Sequence, residues 1–421
     1  MSSAGIRHAE SRLRDSPLVG LCSEIGRGHP SYLDSVLLAL DRLQAVQTPG
    51  LHDPGLLGLG TQSQFADGIG LCPTAGRVPR LTVPELCAGT CGLAWRFARL
   101  GYRLGAQGGA ATWIYNRLRN PDARPSAFQL SLLGSGLRQF FAGYKGICVV
   151  DHPLLAHILA AVCRVAYVHG EIAAPRVSAV PDAWRAFVPV EATMHKLEEF
   201  GVKPEAVRVT GLVVEPELVA VAGAAFEARL RRFEANGPLL VGLFISGARP
   251  RPHVNRIAAC VESLTKSGHR SVLFCGPGML RAAKMQSELG RRGIPAEAAR
   301  VIWARDRGDE TTRTAELLPD LDVMVAAAHE RTNWAIGLGL PMFALLPHIG
   351  PFARENLEFA SKQGVCLPLQ SPAEAAALGP TLDALRKDGR LIETARNGWG
   401  RHSITGADAA ARELLAGAAS R

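Results

Sequence analysis

The chain has 421 residues, too many for one ordinary core, so two domains are the expected organisation. Hydrophobic residues make up 47% and charged residues 20%, which excludes a disordered chain. The net charge of +9 suits a phosphate-bearing partner or an anionic membrane surface, whereas no aromatic RNA-binding pattern or long Lys/Arg run is present, so nucleic acid is not an expected partner.

The N-terminus, MSSAGIRHAESRLRDS, is polar and lacks the apolar core of a signal peptide, which points to the cytoplasm. The nine cysteines are scattered and form no CxxC pair; Cys87 and Cys91 lack a second pair. Reduced thiols are expected, not a disulfide frame or a zinc site. The most apolar span, 147–168, is interrupted by Asp151, His152, His157 and Arg164 and reads as strand–helix–strand, not as a membrane span.

In chain order, Leu18–Cys22 is a short strand, 23–30 (SEIGRGHP) a turn bearing Gly26 and Gly28, and 31–46 an amphipathic helix. A strand, a Gly-x-Gly turn and a helix open a doubly wound domain. His29 stands at the mouth of that turn. Residues 48–80 are rich in Gly, Pro and Asp without periodicity and read as a loop or insertion. Helices are expected over 85–99 and 101–119. The segment WIYNRLRN (113–120) could rest on lipid head groups or pack as an ordinary helix with a solvated arginine face. Strands and helices then alternate: strands end near 150 and span 165–169, 184–188 and 207–211. A helix at 155–163 and another that Glu191 can cap lie between them.

A helix over 216–236 ends at Gly237-Pro238, and the same logic restarts. Strands are expected at 239–245, 271–275 and 300–303. The small-residue turn Ser246-Gly247-Ala248-Arg249 follows the first, and a helix spans 254–267. The organising element is 321–356. An apolar strand, 323–328, leads into His329-Glu330-Arg331-Thr332-Asn333, then a helix over 334–338, then Gly339-Leu340-Pro341 and a second strand, 342–346. The helix N-terminus at the carboxyl end of a strand favours an anion, typically phosphate. An Ala-rich helix, 407–416, closes the chain. The expected fold is therefore α/β, with two facing doubly wound domains and the ligand in the cleft between them. The halves are 1–222 (with an insertion at about 48–140) and 239–403, joined by a linker at 223–238 and followed by a C-terminal segment, 404–421.

Four stretches resemble the glycosyltransferases of the GT-B fold, two facing Rossmann-like domains. Within it they are most similar to the family of monogalactosyldiacylglycerol synthase, the processive diacylglycerol glycosyltransferases and the lipid-linked N-acetylglucosamine transferase of peptidoglycan synthesis. They are Gly26-Arg27-Gly28-His29, the segment 113–119, 187–217 and 328–356. The resemblance implies a nucleotide-sugar donor, a UDP-sugar, with Ser246, Gly247 and Arg249 and the run His329, Glu330, Arg331, Thr332 and Asn333 around its diphosphate. It implies that Glu355 and Asn356 bond the sugar hydroxyls, and that His29 is the general base on an acceptor hydroxyl or orders the diphosphate. The acceptor could be a lipid, which would make the protein peripheral on an anionic inner membrane. No metal or other cofactor is implied, because the helix end and arginines can neutralise the diphosphate. The one Asp-x-Asp pair, Asp320 and Asp322, sits at the amino end of its strand.

The chain departs from that pattern in two places. His329, Glu330 and Arg331 stand where the family has small residues. Trp334 occupies the position of its ribose-gripping carboxylate, a role for which Glu330 is the nearby candidate. Two alternatives therefore stand beside the metal-independent glycosyltransferase. One is a UDP-sugar 2-epimerase, which would need cleft carboxylates from the first half, with Glu24, Asp151 and Glu171 as candidates. The other is a non-catalytic nucleotide-sugar-binding or partner subunit.

Overall fold

A computed structural model describes residues 13, 16–25, 28–47, 78–87, 89–105, 107, 109–110, 112–113 and 123–420. Gly26, Arg27, most of the segment 113–120 and the insertion residues 48–77 lie outside the described residues.

The first half runs β1 (Leu18–Cys22), α1 (Gly28–Gln47), β2 (Arg80–Thr82), α2 (Val83–Leu86), α3 (Gly89–Gly105), α4 (Ala127–Phe141), β3 (Ile147–Val150), α5 (Pro153–Leu159), β4 (Arg164–Val168), β5 (Arg185–Val188), α6 (Glu191–Glu199) and β6 (Val207–Val209). The second half runs α7 (Pro216–Glu234), β7 (Leu240–Phe244), α8 (Arg251–Lys266), β8 (Arg270–Pro277), α9 (Met279–Arg291), β9 (Ala299–Ala304), α10 (Arg307–Leu317), β10 (Val323–Ala326), α11 (Thr332–Gly337), β11 (Met342–Leu345), α12 (Ala353–Lys362) and β12 (Cys366–Leu369). Four helices follow: α13 (Pro372–Ala376), α14 (Leu378–Lys387), α15 (Arg390–Asn397) and α16 (Gly406–Ala419).

Each half holds a six-stranded parallel sheet, in the orders β2-β1-β3-β4-β5-β6 and β12-β11-β10-β7-β8-β9. Strand direction reverses its progress between β1 and β3 in one sheet and between β7 and β10 in the other. Such switch points open crevices at the carboxyl ends of the strands. The central strands are apolar on both faces because helices cover both, as β3 (ICVV) and β10 (VMVA) show by being buried throughout.

Several boundaries differ from the sequence expectation, each for a local reason. Two helices, α2 and α3, replace the one expected over 85–99, because Cys87 is extended at φ −92° and ψ 117°. Of the helix expected over 101–119, residues 101–105 are the end of α3, which stops at Gly105; 109–110 and 112–113 are helical again, and 114–119 lie outside the described residues. Val190, not Glu191, is the N-cap of α6, leaving Glu191 in the first turn. Most of 223–238 lies inside α7, whose Phe226 and Phe233 pack into the second half. Arg229 of α7 is buried and donates to the carbonyls of Leu321, Leu338 and Gly339 at 2.9–3.0 Å. The C-terminal helix α16 returns to the first half: Ala407, Ala410, Ala411 and Leu414 share a core with Leu33, Val36 and Leu40 of α1.

Candidate active-site cleft

The carboxyl ends of the two sheets face one another, and buried polar bonds join them. Asn333, in the first turn of α11, donates to the Gly170 carbonyl at 3.0 Å. Asn356 of α12 donates to Glu171 at 2.6 Å and to the Ala328 carbonyl at 3.1 Å, and accepts from the Ala173 amide at 2.9 Å. Two small residues allow close packing here, Gly28 across the cleft and Gly170 within the first half. A Cβ on Gly28 would lie 3.1 Å from a Glu330 carboxylate oxygen and 3.3 Å from Glu171. A Cβ on Gly170 would lie 2.3 Å from the Tyr32 ring.

Glu171 follows β4 and is fully enclosed by the cleft. Burial first, then the Glu330 carboxylate, pushes its carboxyl up to about 8 against the opposing bonds from Asn356 and Tyr32. It therefore holds a proton at neutral pH. Asp151, at the end of β3, accepts from the Ser23 amide at 2.9 Å and the Ser23 hydroxyl at 3.1 Å. Burial pushes it to about 7 despite those bonds. Burial thus raises both carboxyls toward neutrality, the direction general acid–base catalysis needs; Glu171 meets the second half through Asn356, whereas Asp151 is bonded within the first half. Three histidines, His29, His152 and His169, follow β1, β3 and β4 at the same end of the sheet. His29, in the first turn of α1, packs edge-on against His152 at 5.1 Å and Phe352 at 5.4 Å. His169 sits between the Tyr167 hydroxyl at 2.9 Å and the Ala173 carbonyl at 3.0 Å, and burial lowers it to about 4, so it is neutral.

Glu24 lies at the rim, not beside Glu171. It shares Arg307 of the second half with Asp34 of α1, at 3.3 and 3.0 Å, and both carboxylates also pair with Arg80. Burial opposes its charge, but Arg307 and then Arg80 hold it at about 2.

The expected diphosphate residues divide into two groups. Ser246, Gly247 and Arg249 form a turn closed by an Arg249 amide to Ser246 carbonyl bond of 3.0 Å, with Arg249 at φ +50° and its guanidinium on the Arg281 carbonyl at 3.0 Å. His329, Glu330 and Arg331 precede α11, Thr332 and Asn333 begin it, and Thr332 is buried. Arg331 is turned inward: it is 4% exposed and pairs with Glu330 at 2.9 Å and Glu310 at 3.6 Å. Its guanidinium lies over the Phe244 and Trp334 rings at 4.5 and 5.2 Å. Its charge is thus engaged inside the second half. Trp334 donates its indole N–H to Glu215 at 2.9 Å. Glu355 is exposed in the first turn of α12 and apart from the buried network, whereas its neighbour Asn356 is at the network's centre. Asp322 is buried at the amino end of β10, where it holds the Leu240 amide at 2.7 Å and Arg232 at 2.6 Å, remote from the cleft. Among the described residues no cluster of three His, Cys, Asp or Glu is placed to hold a metal ion.

Sequence reasoning missed Tyr32, Asp34, Arg80, His152, Arg307 and Phe352. Only Tyr32 and Asp34 carried a usable signal, as polar side chains early in the helix that follows the glycine turn.

No family model matches the chain, and no curated protein matches it in sequence. Solved structures match it in fold. A UDP-GlcNAc 2-epimerase from Neisseria meningitidis, bound to UDP-GlcNAc, superposes with a TM-score of 0.55 at 10% identity, over 96% of this chain and 100% of that one. A UDP-GlcNAc 2-epimerase from Methanocaldococcus jannaschii, in complex with UDP-GlcNAc and UDP, gives 0.50 at 12% identity over 95% and 99%. S. aureus MnaA, solved with UDP, gives 0.51 at 10% identity over 95% of each chain. The fold is GT-B: two Rossmann-like domains face each other across a cleft. These neighbours are not lipid glycosyltransferases, so the narrower resemblance gains no support from them.

Proposed function

We propose that this chain is an enzyme acting on a UDP-sugar in the cleft, and that it epimerises carbon 2 of the sugar without transferring it to an acceptor. The observation that carries this is Glu171, a first-half carboxyl enclosed in the cleft, protonated at neutral pH and facing Glu330. Inverting carbon 2 removes its proton while the C1–O bond to UDP breaks and the electron pair forms a C1=C2 bond; the reverse addition returns a proton to the other face and re-forms the C1–O bond, so it calls for acid–base groups and no second substrate. Asp151, held near 7, is the companion group on the same sheet. The fold neighbours that act on UDP-GlcNAc point to the same chemistry. No step in this proposal calls on a metal.

The test is incubation of the full chain with UDP-GlcNAc in deuterated water, followed by proton NMR. Deuterium at carbon 2 with formation of the manno isomer is expected, and Glu171→Gln lowers turnover about 100-fold while UDP still raises the melting midpoint. Binding of UDP-GlcNAc with no exchange at carbon 2 would overturn the proposal. His29, whose ring sits at the first turn of α1 beside Phe352, favours one second reading: a base for transfer to an acceptor hydroxyl. Release of UDP only when an alcohol acceptor is added, abolished by His29→Ala, would support it.

A further inference from the structure

The helix α3 has two apolar faces, and the fold uses one. Cys91 and Trp95 point into the first-half core, where the Trp95 indole donates to the Leu133 carbonyl at 2.9 Å. Leu93, Phe97, Leu100 and Leu104 recur at i, i+4, i+7 and i+11 and share a narrow stripe on the other side. They are 53%, 70%, 49% and 56% exposed. Four large apolar side chains in one line on water is a cost that a monomer does not normally carry without an occupant for the face. The neighbouring helix α4 adds exposed Phe128 and Leu132, and Trp113 is exposed beyond the end of α3.

Charge identifies the occupant. Arg96 and Arg99 flank the stripe on one side. The sequence of α3 holds a third arginine, Arg103, and no acid. A second copy of the chain would bring the same positive field against itself, so self-pairing is disfavoured. An anionic lipid surface satisfies both features: acyl chains take the stripe and head groups take the arginines. Among the described residues no helix is long and apolar enough to cross a membrane, so α3 would lie in the plane of the surface. Its far end reaches the cleft mouth, where Tyr102 packs against Ala248 and Ile349 and Gln107 donates to the Ala248 carbonyl at 2.9 Å.

We propose that the face of α3 formed by Leu93, Phe97, Leu100 and Leu104, with Arg96 and Arg99 beside it, docks the protein on anionic membranes. This is independent of the reaction proposed for the cleft. The test is sedimentation of the full chain with phosphatidylcholine vesicles, with and without phosphatidylglycerol. Binding at least about tenfold stronger to the anionic vesicles is expected, weakening at high salt as exposed charges are screened. Phe97→Ser with Leu104→Ser, and separately Arg96→Glu with Arg99→Glu, should each reduce it several-fold without changing thermal unfolding or circular dichroism, since all four side chains lie outside the core. Absence of binding to both vesicle types would overturn the proposal, as would binding that survives the Phe97/Leu104 change. A concentration-dependent dimer that the same change dissolves, with no vesicle binding, would assign the stripe to a second copy instead.

Discussion

Asn356 and Glu171 meet at 2.6 Å across the cleft, 185 residues apart in sequence, and the amide's remaining bonds to Ala173 and Ala328 tie the two halves together at a fully buried point. Removing the amide strands the Ala173 N–H and takes a donor from Glu171. Asn356→Ala should cost about 2–4 kcal/mol, read as a lower urea midpoint. A loss below about 0.5 kcal/mol would mean that the halves are held together elsewhere.

The pH dependence of stability should carry the mark of Glu171. Its folded value of about 8 stands above the ordinary 4.5. Between those values the folded protein keeps a proton that the unfolded chain gives up. The stability linked to this group is therefore full below 4.5 and is lost as pH rises through about 8. Asp151, raised to about 7 from 3.8, acts in the same direction. Glu171→Gln removes its share, so the fall in unfolding free energy between about pH 5 and 8 should flatten, and Asp151→Asn should flatten it further. An unchanged slope in Glu171→Gln would show that this carboxyl is ionised in the folded protein.

Arg307 acts with the opposite sign of pH dependence. It bridges Glu24 and Asp34 from the other half, and Glu24 is depressed to about 2 from 4.5. That contribution is present above 4.5 and is lost as pH falls through about 2. The groups are partly solvated, so the Coulomb gain is discounted: Arg307→Gln should cost about 1–2 kcal/mol at pH 6, and the gap from wild type should close toward pH 2. Small-angle scattering should show a larger radius of gyration at neutral pH if this bridge limits opening of the cleft. A gap that stays constant with pH would place the effect of Arg307 in packing.

The alternating order of the elements was legible because each strand is a local apolar run and each helix a local period; β1 falls on the stretch where the sequence shows it. The partners that complete the cleft were not. Arg307 and Glu24 are 283 residues apart, and an arginine at the start of a polar helix looks like any solvated charge. Glu171 was visible as a candidate only because an epimerase would need a first-half carboxylate, while its burial comes from Gly28 and Tyr32 of α1 and Asn356 of α12, two elements far from it in sequence. Arg331 shows the complementary limit. Residue type and position suggested a phosphate contact, but the ring of Phe244 and the carboxylate of Glu310 come from other elements and, with Trp334 of the helix that Arg331 caps, hold its side chain inward. The stripe on α3 was written in the spacing of Leu93, Phe97, Leu100 and Leu104, yet Cys91 and Trp95 give the same helix a second apolar face. Only the fold shows which of the two is covered.

Arg331 therefore yields a prediction about stability. Its guanidinium is enclosed by Glu330, Glu310 and two aromatic rings. Truncation leaves the buried Glu310 without its cation and removes the cation–π contacts, so Arg331→Ala should cost about 3–5 kcal/mol in the ligand-free protein. Arg331→Lys keeps the charge but loses the planar fork that spans both rings and should fall in between. Pairing Arg331→Met with Glu310→Gln removes both charges together and should recover part of the loss. Urea unfolding without nucleotide measures all three. If Arg331→Ala were as stable as wild type yet lost the rise in melting midpoint on adding UDP, the side chain would be a phosphate ligand that leaves its buried site when nucleotide binds. The inward geometry predicts the reverse: a large loss of stability before any ligand is present, with UDP still binding to whatever fraction remains folded.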